Sequence, residues 1–310
     1  MKNNYAYGSL ASFLPLEDKL FPLDQRDVFG RQAPLEVEIG FGTGEYILRI
    51  AGDAPQTDFL GFEQCAKRTL KTLRKIHDAG LSNVRLMRFD AVWGLQYLLT
   101  EKSLQRVHCL FPCPWPKKRH VRHRLFTPGI LKLINSRLMD GAQLYIVTDH
   151  RPYYEWILEN VPETGFEVRS EIIPAKFGTK FERKWAEAGQ SEFFELTLIK
   201  VAHQDGGASG KALMKTYYFD KVDLSRVRLE SVWGPLTVKF GDLVYDPGLN
   251  KAVVDAVVSE DDRAQHIWII IVRTEKGWCV CPAAGTVVLP TEGAQKAISM
   301  VAEAVRQSCL

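Results

Sequence analysis

From residue 35 onward, short apolar runs alternate with segments whose apolar residues recur every three or four positions. LEVEIG (35–40), DFLGFE (58–63), NVRLMRFD (83–90), RVHCLF (106–111) and AQLYIVTD (142–149) read as strands. Between them, EYILRIAG sets Ile47, Ile50 and Ala51 on one side of a helix. AKRTLKTLRKIHDAG (66–80) does the same with Leu70, Leu73 and Ile76, and stops at Gly80. AVWGLQYLL, GILKLINSRLM (129–139) and YYEWILENV read as further helices, FEVRSEII and FFELTLIK as late strands. Strict alternation of β and α predicts an α/β fold, a Rossmann-like and mostly parallel doubly wound sheet covered on both faces. Ligands of such sheets bind beyond the carboxyl ends of the strands. Gly40, Glu63, Asp90, the 111–116 turn and Asp149 all fall at those ends.

The pattern changes after VAHQDGGASGKAL (201–213), a glycine-rich linker. LTVKFGDLVYD and KAVVDAVV read as strands, and HIWIIIVRTEKGWCVCP as a hairpin turning at Lys276-Gly277. A closing helix aligns Ala294, Ile298, Val301 and Val305. The expected organisation is a leader over 1–33 packed on the first domain, an α/β domain over 34–200, the linker, and a small β-rich α+β domain over 214–310.

At 310 residues and 46% hydrophobic, the chain can supply two cores. No stretch approaches the ~18 apolar residues of a membrane span. The N-terminus, MKNNYAYGSLASFLPLEDKLF, has charges and prolines where a signal peptide needs an apolar centre. These features predict a cytoplasmic protein with no membrane partner. The six cysteines form no CxxC pair, which suits free thiols in a reducing compartment. Net charge is only +3, and residues 211–310 balance twelve Lys/Arg against twelve Asp/Glu. Basic charge is densest at 117–124, and a local patch of this kind is what a polyanion meets.

Two stretches carry candidate chemistry. EIGFGTGE (38–45) follows a strand and opens a helix, and glycines at 40, 42 and 44 let backbone approach a ligand. The spacing GxGxG leans away from a dinucleotide, whose pyrophosphate needs the helix N-terminus. Acidic side chains at the strand ends suit S-adenosylmethionine, which has no phosphate. Glu63 would take the ribose hydroxyls, Asp90 the adenine amine and Glu38 the methionine ammonium. FPCPWPKKRHVRHRLF (111–126) sets a proline-framed Cys113 and Trp115 before five Lys/Arg and two His. Lys117, Lys118, Arg119, Arg122 and Arg124 can neutralise RNA phosphates. Trp115 suits either base stacking or a core plug. Asp149 suits either a site role or the N-cap of the next helix. His120, His123 and His150 bring no third metal partner, and Cys279 and Cys281 are expected to point to opposite sides of their strand, so no metal is predicted.

EIGFGTGE, FPCPWPKKRH, TDH at 148–150 and TKFE at 179–182, in that order and spacing, resemble the bacterial tRNA (guanine-N7)-methyltransferase family over about residues 34–200. Residues 214–310 have no counterpart in the resemblance. It implies transfer of a methyl group from S-adenosyl-L-methionine to N7 of a variable-loop guanine in tRNA. It also implies cofactor contacts at Glu38, Glu63 and Asp90, and substrate contacts at Lys117, Asp149, Thr179, Lys180, Phe181 and Glu182. Cys113 stands where the family's PDPWPK block has an aspartate, counted among its cofactor and active-site residues. Guanine N7 carries no proton to remove, so Asp→Cys is expected to weaken the enzyme by about 1.5–3 kcal/mol of lost charged hydrogen bonding without abolishing turnover. Two rivals remain: a cytosine-C5 methyltransferase using Cys113 as nucleophile, and a tRNA-binding protein that has lost catalysis.

Overall fold

The computed structural model describes residues 10–16, 21–206, 214–260 and 263–309; the side chains of Lys180 and Ala186 fall outside the description. So do the first nine residues of the leader and positions 207–213 of the linker. The chain forms two compact units, the first built from residues up to 206 and the second from residues 214 onward together with Leu16.

The first unit is a seven-stranded sheet of order β3-β2-β1-β4-β5-β7-β6. β1 (Leu35–Ile39), β2 (Asp58–Glu63), β3 (Val84–Arg88), β4 (Leu104–Leu110) and β5 (Leu138–Thr148) run parallel. β7 (Phe193–Lys200) lies antiparallel between β5 and β6 (Phe166–Ile173). β2 is buried along its whole length, as a strand covered on both faces must be. On one face α2 (Glu45–Asp53) and α3 (Ala66–Asp78) bury Ile47, Ala51, Leu73 and Ile76 against Phe59, Val84 and Leu86. On the other, Gly94 lies so close to Phe62 that a Cβ there would sit 2.4 Å from the ring. The helix expected over 91–99 is in fact α4 (Ala91–Trp93) followed by a wider π turn, Gly94–Leu98. The fully buried Arg137 accounts for that turn, donating to the carbonyls of Leu95 at 2.7 Å and Gln96 at 3.2 Å.

α5 (Pro128–Arg137) and α6 (Arg151–Asn160) flank β5, which begins four residues before the expected start because no turn separates it from α5. The leader contains a short helix missed from the sequence, α1 (Gln25–Phe29), capped by Asp24. Upstream of α1, residues 12–14 extend the sheet at its β3 edge, where Leu14 donates to the Leu86 carbonyl and Leu86 donates to that of Ser12.

The second unit is an antiparallel sheet of order β8-β12-β11-β10-β9: β8 (Tyr217–Phe219), β9 (Thr237–Asp246), β10 (Lys251–Glu260), β11 (Arg263–Thr274) and β12 (Gly277–Pro282). Its closing helix packs Ala294, Ile298, Val301 and Val305 into the core formed by Ala252, Val254, Ile269 and Val280. The hairpin at Lys276-Gly277 is as expected. The expectation that Cys279 and Cys281 point apart is wrong: residues two apart in a strand share a face. Burial, and then the neighbouring Cys279 thiol, push Cys281 up to about 12. Among the described residues no three His, Cys, Asp or Glu side chains gather as metal ligands, and no helix is long and apolar enough to cross a membrane.

Candidate active site

The site is assembled at the carboxyl ends of the parallel strands. After β1 the chain turns through Gly40, Gly42 and Gly44 with φ of +75°, +56° and +82°. At Gly44 a Cβ would stand 2.3 Å from Thr72 Cγ2, so only glycine lets the start of α2 meet α3. α3 in turn clamps the loop: Thr72 Oγ1 donates to the Gly42 carbonyl at 3.3 Å and Lys75 Nζ to that of Thr43 at 2.6 Å. Glu63, ending β2, accepts from the amides of Gly42 at 3.2 Å and Cys65 at 3.0 Å, which fix its carboxylate at the loop's edge.

Glu38 is the exceptional group. It is 3% exposed, and its Oε2 has no hydrogen-bond partner. Burial, then the charge of Glu45, raise its carboxyl to about 8; the Ile47 amide opposes this and Glu63 adds to it. A buried carboxylate oxygen without a donor is costly, and an arriving cation would relieve the cost. Other buried polar groups nearby are satisfied. His108 bridges Tyr46 Oη at 3.0 Å and Glu36 at 2.7 Å, and burial lowers its imidazole despite that carboxylate.

A cleft of about 530 Å³ opens beside the loop. Gly40, Gly42, Glu63, Asp90, Cys113, Trp115, Asp149 and Phe181 all line it. An adjoining cavity of about 230 Å³ joins Glu38 and Gly42 to Thr179, Phe181 and Lys184. A larger hollow of about 690 Å³ lies between the leader and Lys102, Ser103 and Met139, but none of these site residues reaches it. Residues from five separate strand ends and from the 179–182 segment therefore meet at one lip. Asp90 accepts from the amides of Val92 and Trp93, capping α4, while its other oxygen accepts from Gln64. Asp149 is not the cap of α6; His150 is, its Nδ1 accepting from the Tyr153 amide at 3.1 Å. That leaves the Asp149 carboxyl facing the cleft, and burial raises it above the ordinary range. Cys113 is exposed on the cleft wall. The turn that carries it is bracketed by two non-glycine residues in left-handed backbone, Phe111 (φ +54°) and Trp115 (φ +44°), a strained arrangement of the kind concentrated at functional sites. Trp115 packs on the rings of His120 and His123 at 5.6 and 5.2 Å.

Three expected contacts take other roles. The TKFE run is a capping box at the start of α7 (Lys180–Glu187), a helix missed from the sequence. Thr179 Oγ1 accepts from the Glu182 amide, and the Glu182 carboxylate accepts from the amides of Lys176, Phe177 and Thr179. Glu182 is 1% exposed with both oxygens engaged, so it shapes the loop and does not present a carboxylate to substrate. Thr179, also buried, lines the smaller cavity, and Phe181 projects 41% exposed. The Lys180 side chain lies outside the described residues. Arg124 is 8% exposed; it donates to the Pro114 carbonyl at 2.9 Å and lies over the rings of Tyr153 and Trp156, so it braces the proline turn and is not free for phosphate. Lys117, Lys118, Arg119 and Arg122 are exposed around the 3-10 turn Lys118–His123. Missed from the sequence were Gln64, Arg68 and Trp185, which also line the cleft. The Phe181/Trp185 spacing of four on one helix face was the available signal.

Residues 32–195 match a family model described as putative methyltransferase. A tRNA (guanine-N(7)-)-methyltransferase of Chlorobium phaeobacteroides is 43% identical over 169 residues, 54% of this chain and 83% of that protein. The chain belongs to the tRNA (guanine-N7-)-methyltransferase family. A family member of the same name from Thermotoga maritima is 37% identical, with 63% of this chain and 62% of that protein aligned. The tRNA (guanine-N(7)-)-methyltransferase of Coprothermobacter proteolyticus is 28% identical over 311 aligned positions, 94% of this chain and 92% of that protein. The family therefore includes a member that also aligns with the second unit, which the sequence resemblance had left without a counterpart.

Proposed function

We propose that this chain methylates N7 of a variable-loop guanine in tRNA, with S-adenosyl-L-methionine held in the glycine-loop end of the cleft. Family membership implies a methyltransferase that uses this cofactor. The single observation that carries the placement is Glu38, a buried carboxyl group whose Oε2 has no hydrogen-bond partner, beside a loop of positive-φ glycines. Glu38 would receive the methionine ammonium, Glu63 the ribose hydroxyls, and Asp90 with Gln64 the adenine edge. Bound there, the cofactor supplies a methyl group already activated by its positive sulfur.

The chain's own residues then have three tasks. Guanine N7 has a free lone pair, so no base is needed; alignment and exclusion of water are. Asp149, half-buried at the end of β5, accepts from the guanine N1 and N2 donors and favours the positive charge that develops on the ring. Phe181 and Phe111, with ring centres 6.3 Å apart, wall the base from solvent. Lys117, Lys118, Arg119 and Arg122 neutralise adjacent phosphates. Cys113 occupies the wall where a carboxylate would add a charged hydrogen bond, so the enzyme works below the family's capacity.

The test is to incubate the protein with undermethylated tRNA and labelled donor and map the modified positions. N7-methylguanine in the variable loop is expected, with no covalent adduct formed on 5-fluorocytosine RNA. tRNA binding without methyl transfer at any cofactor concentration would overturn the proposal in favour of a binding protein.

A further inference from the structure

α3 is charged in a way that its own fold does not require. It carries Lys67, Arg68, Lys71, Arg74 and Lys75, with one acidic residue, Asp78, at its far end. Its first turn has no Asp or Glu but holds Lys67 and Arg68, where the helix dipole is positive and repels cations. Two of the five are used internally. Lys75 donates to the Thr43 carbonyl and pairs with Glu45 at 3.2 Å; Arg68 stands 3.5 Å from Glu63. Lys67, Lys71 and Arg74 are exposed, with no hydrogen bond or ion pair to any described residue. Spaced four and three apart, they form one stripe of like charges that repel one another. An external polyanion would turn this intramolecular penalty into binding energy.

The sheet order gives the stripe its place. β2 and β4 stand on either side of β1. α3 leaves the lip just after β2, and the 117–122 segment leaves it just after β4. The two positive surfaces therefore flank the glycine loop. Gln64 and Arg68 line the cleft on the α3 side, and Cys113, Trp115 and His123 on the other. An RNA strand that delivers one base into the cleft continues away from it in both directions, with phosphates on both flanks.

We propose that the Lys67–Lys71–Arg74 stripe is a second phosphate-binding wall for the tRNA, across the cleft from the 117–122 turn, so that the target nucleotide is gripped from both sides. The inference rests on the assignment of the cleft to tRNA methylation.

The test is the Lys67→Gln/Lys71→Gln/Arg74→Gln variant of the full chain, which spares Arg68 and Lys75. tRNA affinity is measured against salt concentration, independently of turnover, alongside KM for tRNA and for the methyl donor. Each lost phosphate contact lowers the slope of log affinity against log salt by about 0.7–1, so the slope should fall by about two to three and affinity by roughly ten- to a hundredfold near physiological salt. KM for the donor should stay within about twofold, since none of the three side chains touches the pocket. Should the triple variant fold poorly, Lys71→Gln alone should lower the slope by about one. An unchanged slope and affinity in a variant of a protein that does bind tRNA removes the second wall and leaves the cleft assignment standing. A parent protein that binds no tRNA at any salt overturns both.

Discussion

Glu38→Gln replaces the most strained ionisable group of the site with a neutral isostere. The carboxyl titrates near 8 in the folded chain against an ordinary value of 4.5, chiefly because it is buried. The sign follows from which state holds the proton more tightly. Below 4.5 both folded and unfolded chains are protonated and nothing is lost. As pH rises toward 8 the unfolded chain ionises freely while the folded chain resists, so the folded state loses stability throughout that window. The gap of 3.5 units corresponds to at most about 5 kcal/mol at 1.36 kcal/mol per unit. Urea denaturation of the free protein at pH 5 and pH 8.5 measures it, and the variant should gain several kcal/mol on the wild type between the two. Ligand binding reports the same group from the other side. The methionine ammonium needs ionised Glu38, so affinity for S-adenosylhomocysteine should rise about tenfold from pH 6 to pH 7, with nearly one proton released per ligand bound. Calorimetry in two buffers of different protonation heat counts that proton. The variant should bind weakly and release none. Wild-type affinity that is flat over this range, with no proton release, would refute the placement of the ammonium at Glu38.

Three further outcomes follow from the geometry. Cys113→Asp should raise kcat/KM by roughly ten- to a hundredfold by restoring a charged hydrogen bond, as single-turnover assays on undermethylated tRNA would show. Glu182→Gln should cost about 3 kcal/mol in thermal or urea denaturation, because a carboxylate holding three backbone amides is replaced by a weaker acceptor. Arg124→Gln should cost about 2 kcal/mol of stability and leave the salt dependence of tRNA binding unchanged, whereas Lys118→Gln should do the reverse, lowering the salt slope by about one.

The first sheet and the lip where the candidate residues gather were legible because hydrophobic period and strand-end chemistry are local properties. DFLGFE, FEVRSEII and FFELTLIK carry their boundaries in their own residues. Arg124 was not legible. In the sequence it is one more charge in a basic run, and only the rings of Tyr153 and Trp156, some thirty residues on, bury it. Thr179-x-x-Glu182 is a helix-start signature carried by the sequence itself, although the resemblance implies substrate contacts for the same residues. Glu38 was singled out as a loop-mouth carboxylate, but its burial was not foreseen. The polar half of LEVEI looks like a solvated strand face until α2 and the 177–181 segment close over it.

The position of β7 has a consequence for how the protein is made. This strand is the last of its sheet to leave the ribosome, yet it belongs in the interior, wedged between β5 and β6. Until residues 193–200 emerge, the growing polypeptide holds an open seam of unpaired backbone beside β5.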